Sequence, residues 1–338
     1  MNMIQILERL SGIPGVSGWE HAVRDEIIAM IKDYCEYEMD ALGNLIAYKK
    51  PGSKLLLSAH MDEVGLICTM IEDSGLLRFA TVGGIDPRTI VGKAVEIGDA
   101  KIPGVIGRKP VHLQKGDERE SAPSPDKLYI DVGAKDKAQA EGHIRVGDRA
   151  VFSSKFRRVG EDKIIGRAFD DRAGCAILID LIRSNLTHEC AFSFTVQEET
   201  GCTGAHTVAY RVKPEISIAV ETTTAADIAG VPDDKKFCEL GKGPVISFMD
   251  KGTVYDHELY AKALDIAKQR KRPCQIKRGV AGGNESRSLQ IGGAGSRVMA
   301  VSLPCRYLHT PSNMLCVKDL ESTRDLLMAL IEEIANDK

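Results

Sequence analysis

Aromatic side chains are scarce in this chain. They make up 5% of its 338 residues and include a single tryptophan, Trp19. Surfaces that stack sugars or single-stranded nucleic acid rely on exposed rings, so the scarcity argues against both. Neither sign of charge dominates. The 45 Lys and Arg against 48 Asp and Glu leave a formal charge of -3, and there is no basic footprint for DNA or RNA. Long apolar runs are missing too. Stretches such as 173–182 stop far short of the roughly 20 residues that a membrane span needs. The first residues mix charge with periodic apolar positions where a signal peptide would carry an apolar block. None of the nine cysteines forms a Cys-x-x-Cys pair. Their odd count, with Cys68, Cys175 and Cys190 inside apolar runs, reads as buried reduced thiols in a cytoplasmic protein.

The chain contains 43% hydrophobic and 28% charged residues, ordinary values for a globular protein. At roughly 150 residues per domain, its length suggests about two domains in series. A chain this long can bury a core without disulfide staples. Helical spacing over 20–32 (Val23, Ile27, Ile28, Ile31) predicts an amphipathic helix. Segments 34–40 and 44–48 flank an Ala-Leu-Gly turn and predict a hairpin. The short apolar run 54–59 has the pattern of a strand covered on both faces.

From about residue 69 to 159 the texture changes to short apolar runs separated by Gly and Pro, the pattern of a small β-barrel or sandwich. Residues 109–126 read as an exposed charged loop. Beyond Gly166 the alternation of helix and strand returns: a helix over 173–184, strands over 190–196 and 216–220, a helix over 256–271, a strand over 297–303 and a helix over 317–336. The expected fold is therefore α/β, with a mixed, largely parallel central sheet flanked by helices and an inserted β-barrel. The first domain would comprise 1–68 and 160–338, and the insert 69–159.

The polar residues fall at informative places. His60 and Asp62 follow the 54–59 strand, Asp170 and Asp171 precede the 173–184 helix, and Glu198 and Glu199 follow the 190–196 strand. Glu221 follows 216–220, and His309 lies just past 297–303. Open α/β sheets bind ligands outside the carboxyl ends of their strands. Taken singly, each residue has an ordinary explanation. Asp170-Asp171 could cap a helix, Glu198-Glu199 could be a solvated turn, and a lone histidine is more often a surface residue. Sharing one topological position is what makes them a metal-site inventory.

Two histidines and several carboxylates suit Zn, Co or Mn, not a thiolate site. Each ion of a pair would take one histidine and one terminal carboxylate, with Asp170, central in chain order, as the bridge. Neighbouring residues at a strand end point to opposite sides. One of Glu198 and Glu199 would therefore bind metal while the other acts as general base. Asp62 would hold the second imidazole nitrogen of His60. His206 is open to a role at the site, whereas His21, His112, His143, His188 and His257 read as solvated or structural.

Four segments then resemble a known family: Ala59-His60-Met61-Asp62-Glu63-Val64-Gly65, Phe169-Asp170-Asp171-Arg172-Ala173-Gly174, Gln197-Glu198-Glu199-Thr200-Gly201 and Arg306-Tyr307-Leu308-His309-Thr310-Pro311. They resemble the tetrahedral aminopeptidases, a group that includes glutamyl aminopeptidases and proteins once labelled cellulase M. Asp131-Val132-Gly133-Ala134 and residues 142–148 agree within the insert. The resemblance implies that His60 and Glu221 bind one metal and Glu199 and His309 the other, with Asp170 bridging. It makes Glu198 the general base and Asp62 the partner of His60. It further implies a cis Asp170–Asp171 peptide, and dimers that build hollow dodecamers through the inserted domain.

Two departures stand out. Glu221 replaces an Asp common in relatives, a change between carboxylates. Gly282-Gly283-Asn284-Glu285-Ser286 replaces Gly-Thr-Asp-Ala or Gly-Asn-Asp-Ala near the substrate pocket, so no preference for the N-terminal residue carries over. The implied function is a cytoplasmic, homo-oligomeric metallo-aminopeptidase acting on short peptides with two divalent ions, Zn or Co before Mn. The alternatives are a carboxypeptidase or N-acyl deacylase on the same scaffold, and a non-enzymatic assembly protein. A glycosidase is disfavoured, because the adjacent Glu198 and Glu199 cannot face each other across a glycosidic bond.

Overall fold

The computed structural model describes residues 1–50 and 52–336. Ile6, Leu7 and Leu10 recur at helical spacing near the start, and a helix forms there over Met3–Ser11. A capping box closes its first turn: Asn2 accepts from the Gln5 amide, and the Gln5 side chain returns a bond to the Asn2 amide. The helix His21–Ile31 and the hairpin Glu36–Met39 with Leu45–Tyr48 follow as expected.

An eight-stranded sheet forms the centre. Its order is Glu36–Met39, Leu45–Tyr48, Ala191–Thr195, Leu55–His60, Ile216–Thr224, Arg297–Cys305, Val245–Ile246 and Gln275–Ile276. The four middle strands, from Ala191–Thr195 to Arg297–Cys305, run parallel. The hairpin enters antiparallel at one side, and Val245–Ile246 pairs antiparallel at the other. These parallel strands are apolar on both faces because both are covered. One face packs Leu57 and Ala59 against the helices Met3–Ser11, His21–Ile31, Phe169–Arg183, His257–Gln269 and Val317–Asn336. The other packs Leu56, Ala191, Ala219 and Ala300 against Thr203–Val212 and the short helix Ser286–Leu289.

Between Leu55–His60 and Phe169–Arg183 the chain builds a closed barrel. Its strands are Gly65–Ile71, Leu77–Val82, Leu128–Asp131, Ile102–Arg108, Ala94–Ile97 and Arg149–Phe152, around a core that includes Leu66, Phe79, Ile106 and Ile130. The first barrel strand begins at Gly65, ahead of the change in texture at residue 69. The reason is that Leu66 and Cys68, which lie in the 1–68 segment expected to belong to the first domain, point into the barrel core. Segment 109–126 differs from a plain loop. It folds into short helical turns at Val111–Leu113 and Asp117–Glu120 and leads into Pro125–Lys127, with Val111 and Leu113 exposed.

A second difference concerns Glu221. It lies inside the strand Ile216–Thr224 and not after it, because the β-branched Thr222 and Thr223 continue the pairing with Leu303 and Pro304. Phe169–Arg183 opens irregularly. Asp170 and Asp171 carry non-helical dihedrals and are joined by a cis peptide, and regular helix begins after them. All nine cysteines are free, and seven are buried.

Candidate metal centre

The carboxyl ends of the parallel strands deliver the polar residues to one edge. His60 ends its strand, Glu221 lies within the neighbouring one, and Glu198 and Glu199 sit in a turn begun by Gln197 at a φ of +56°. His309 takes a φ of +54° beyond Arg297–Cys305. Its loop is held by Asn313, whose amide donates to the Tyr307 carbonyl at 2.8 Å, and by the Thr310 hydroxyl, which donates to the same oxygen at 2.7 Å. Arg306 adds a two-pronged ion pair with Asp227 at 2.7 and 2.8 Å.

At the centre lies Asp170. One carboxylate oxygen is 3.4 Å from Nε2 of His60, and the other is 3.1 Å from Nε2 of His309. Glu221 reaches the His60 side at 3.5 Å from the same nitrogen. Glu199 reaches the His309 side at 3.3 Å. Glu198 stands a little farther off, with Oε2 3.9 Å from His60 Nε2. Asp62 faces the other imidazole nitrogen of His60 at 3.3 Å. The same carboxylate accepts the backbone amides of Glu198 at 3.0 Å and Glu199 at 3.1 Å, and the Ser17 hydroxyl at 2.6 Å. One buried side chain therefore fixes both the imidazole and the Glu198-Glu199 turn, a second task invisible in the spacing of His60 and Asp62. His206 stays exposed on Thr203–Val212, and no metal-holding group among the described residues includes it.

Asp171 joins the cluster from below. It accepts from the backbone amide of His60 at 3.3 Å and of Gly174 at 3.0 Å. His60, Asp171 and Glu221 bring ligand atoms within 4.8 Å of one another, as do His60, Asp170 and Glu199. A side chain at position 174 would stand 2.6 Å from Oδ1 of Asp171 and 2.7 Å from the Val220 carbonyl oxygen. Gly174→Ala is therefore expected to cost about 1–3 kcal/mol through overpacking, seen as a lowered midpoint in urea unfolding. An unchanged midpoint would show that the helix start yields freely.

The electrostatics follow from burial. Burial pushes the carboxyls of Glu199 and Glu221 well above the ordinary range, and the nearby Asp170 charge adds to this. Burial opposes charge on His60, yet Glu221, Asp170 and Asp62 together hold its pKa well above the usual value. Burial likewise opposes charge on His309, and Asp170 outweighs it, lifting the imidazole to about 10. Asp170 itself is held well below its usual value, because the two imidazoles outweigh its own burial. Among the described residues no lysine or arginine pairs with these carboxylates, and Oε1 of Glu199 is buried without a hydrogen-bond partner. Carboxylates packed against imidazoles, with one buried oxygen left without a partner, fit divalent cations.

A sequence profile of the M42 glutamyl aminopeptidases matches residues 43–326. The chain belongs to the M42 glutamyl aminopeptidase family. The lysyl aminopeptidase of Pyrococcus furiosus is 32% identical, with 98% of this chain and 97% of that one covered. An aminopeptidase structure from Desulfurococcus kamchatkensis superimposes with a TM-score of 0.94 at 32% identity, covering 99% of this chain and 96% of that one. The TET1 peptidase of Pyrococcus horikoshii gives 0.87 at 36%, covering 98% and 99%. As an M42 member the chain is a metal-dependent aminopeptidase.

Three features of this cluster escape sequence reading. The barrel reaches it through Gly83 and Gly84: a side chain at 83 would run into Val64 and Glu199, and one at 84 would stand 3.4 Å from Nδ1 of His309. A Gly-Gly pair after a strand was the only signal. Glu285, from the departing segment, points into the protein and accepts from the Ser58 and Thr195 hydroxyls, and burial lifts its pKa to about 7. It thus ties together the strands that lead to His60 and to Glu198. Cys202 touches Glu198. A separate cavity of about 560 Å³ lies at the opposite end of the strands, lined by Lys54, Glu215, Glu258 and Arg297. Its charges largely pair among themselves, Lys54 with Glu215 and Arg297 with Glu258.

Proposed function

We propose that this enzyme releases N-terminal residues from short peptides using two divalent cations, Zn or Co before Mn. His60 and Glu221 would hold one ion and His309 and Glu199 the other, with Asp170 shared between them. The observation that carries this reading is the Asp170 carboxylate, whose two oxygens face different imidazoles at 3.4 and 3.1 Å. A pair of such ions supplies polarisation of the scissile carbonyl and a lowered pKa for water.

The protein's own groups do the rest. Glu198 takes the proton of the attacking water on Oε2 and passes it to the leaving amine, as burial raises its pKa above the ordinary carboxylate range. Asp62 keeps His60 in one orientation from its far nitrogen. The surplus of carboxylates favours a substrate with a free, cationic amino group, which makes the reaction exopeptidic. The barrel would serve assembly into a homo-oligomer. That reading is supported by the barrel's exposed apolar side chains, Met70 and Val105 among them, and by the TET1 peptidase of Pyrococcus horikoshii, which can assemble into a tetrahedron or an octahedral shell. No helix among the described residues is long and apolar enough to cross a membrane. The free cysteines agree with a reducing, cytoplasmic setting.

Short peptides with free and with acylated amino termini provide the test. Cleavage of the free peptides should vanish on thorough chelation and return with Zn, Co or Mn, while the acylated ones stay intact. Turnover that survives chelation would sink the metal mechanism. Equal cleavage of acylated peptides would turn the assignment towards a deacylase or endopeptidase.

A further inference from the structure

We propose that Cys202 is a positioning residue that aims the Glu198 carboxylate at the metal centre. The inference rests on the reading of Glu198 as general base. The Cys202 thiol donates to Oε1 of Glu198 at 3.3 Å, while Oε2 of the same carboxylate faces Nε2 of His60 at 3.9 Å. One oxygen is tied back and the other is presented. Among the described residues, the thiol is the only hydrogen-bond donor to this carboxylate. The other contacts that hold Glu198 act on its backbone. Its amide donates to Asp62 at 3.0 Å, and its carbonyl accepts from the amides of Gly201 and Cys202, both at 2.9 Å.

The backbone of Cys202 gives a second reason. It adopts a left-handed conformation, φ +58° and ψ +34°, where the helix Thr203–Val212 begins. A residue with a Cβ takes this conformation at a cost, and glycine takes it freely. Here the position carries a buried side chain that turns back onto the carboxylate four residues earlier. A thiol suits this task because it is a weak donor. It holds one oxygen in place yet withdraws little charge from the other, so Oε2 keeps its basicity. Proton transfer needs the base oxygen within hydrogen-bond reach of the water. A carboxylate free to rotate spends less of its time there.

Three variants of the full-length, metal-loaded enzyme test this: Cys202→Ala, Cys202→Gly and Cys202→Ser. The first two remove the donor, and kcat should fall about tenfold while KM stays within about twofold and metal content is unchanged. Cys202→Ser keeps a donor on the same line and should return kcat to within about threefold of the parent. Cys202→Gly also relieves the backbone, so a merely structural cysteine predicts an enzyme as active as the parent. It carries the test even if Cys202→Ala folds poorly. Unchanged kcat in Cys202→Gly, or no recovery in Cys202→Ser, overturns the proposal. Glu198→Gln separates the two levels: full activity there removes the general base and this inference with it. An inactive Glu198→Gln beside an unaffected Cys202→Gly removes the positioning role alone.

Discussion

Glu198→Gln is expected to lower kcat by roughly 10²- to 10⁴-fold, the usual share of a positioned general base, with metal content unchanged. The amide has nearly the same shape as the carboxylate but cannot take a proton from water. Retention of metal follows from geometry. Glu198 comes no nearer than 3.9 Å to His60 Nε2, whereas Asp170, Glu221 and Glu199 approach the two imidazoles at 3.1 to 3.5 Å. Steady-state kinetics beside elemental analysis of the purified variant decides the matter. Lost metal would make Glu198 a ligand, and retained turnover would place the base elsewhere. The backbone around it should be undisturbed, because Asp62 holds the amides of Glu198 and Glu199 whatever the side chain carries.

Asp170→Asn should act on the other half of the machinery. Altering residues one layer behind metal ligands already costs about 10- to 100-fold in affinity. If Asp170 is shared by two ions, as proposed above, neutralising it should weaken metal binding by more than about 100-fold and take activity below detection. Calorimetric titration of the metal-free protein measures the first, and peptide cleavage the second. Thermal unfolding gives a third readout. Ions that bind only the folded chain raise the parent's melting temperature by an amount that grows with the logarithm of their affinity, and this rise should shrink in the variant. Wild-type affinity in Asp170→Asn would show that the two halves of the cluster do not share this residue. The variant should fold, since Thr222, which donates to Asp170 at 2.8 Å, can still donate to the amide oxygen.

Much of the fold is legible in the amino-acid order because it is written in short-range patterns. The buried runs at Leu55–His60 and Ala191–Thr195 and the amphipathic helix His21–Ile31 follow from the period at which apolar residues recur, and the barrel from short apolar runs separated by Gly and Pro. Short-range patterns also mislead where pairing is decided by a neighbour. Thr222 and Thr223 look like the start of a loop, but the adjacent strand at Leu303 and Pro304 extends them into the sheet and takes Glu221 with them. Leu66 and Cys68 precede the change in texture at residue 69, yet they fill the barrel.

The site divides in the same way. Chain order alone determined which residue types stand at strand ends, namely two histidines and a set of carboxylates, because the link between strand ends and ligand sites is a matter of topology. Only the tertiary structure decided how they meet. Asp170 stands between His60 and His309 although 139 positions separate it from one and 110 from the other in the chain. The fold likewise set Asp171 beneath His60, brought Gly83 and Gly84 of the barrel against Glu199 and His309, and laid Cys202 on Glu198. These contacts join segments with no shared period or motif. They depend on close approach in three dimensions, which burial and backbone conformation impose and residue order does not display.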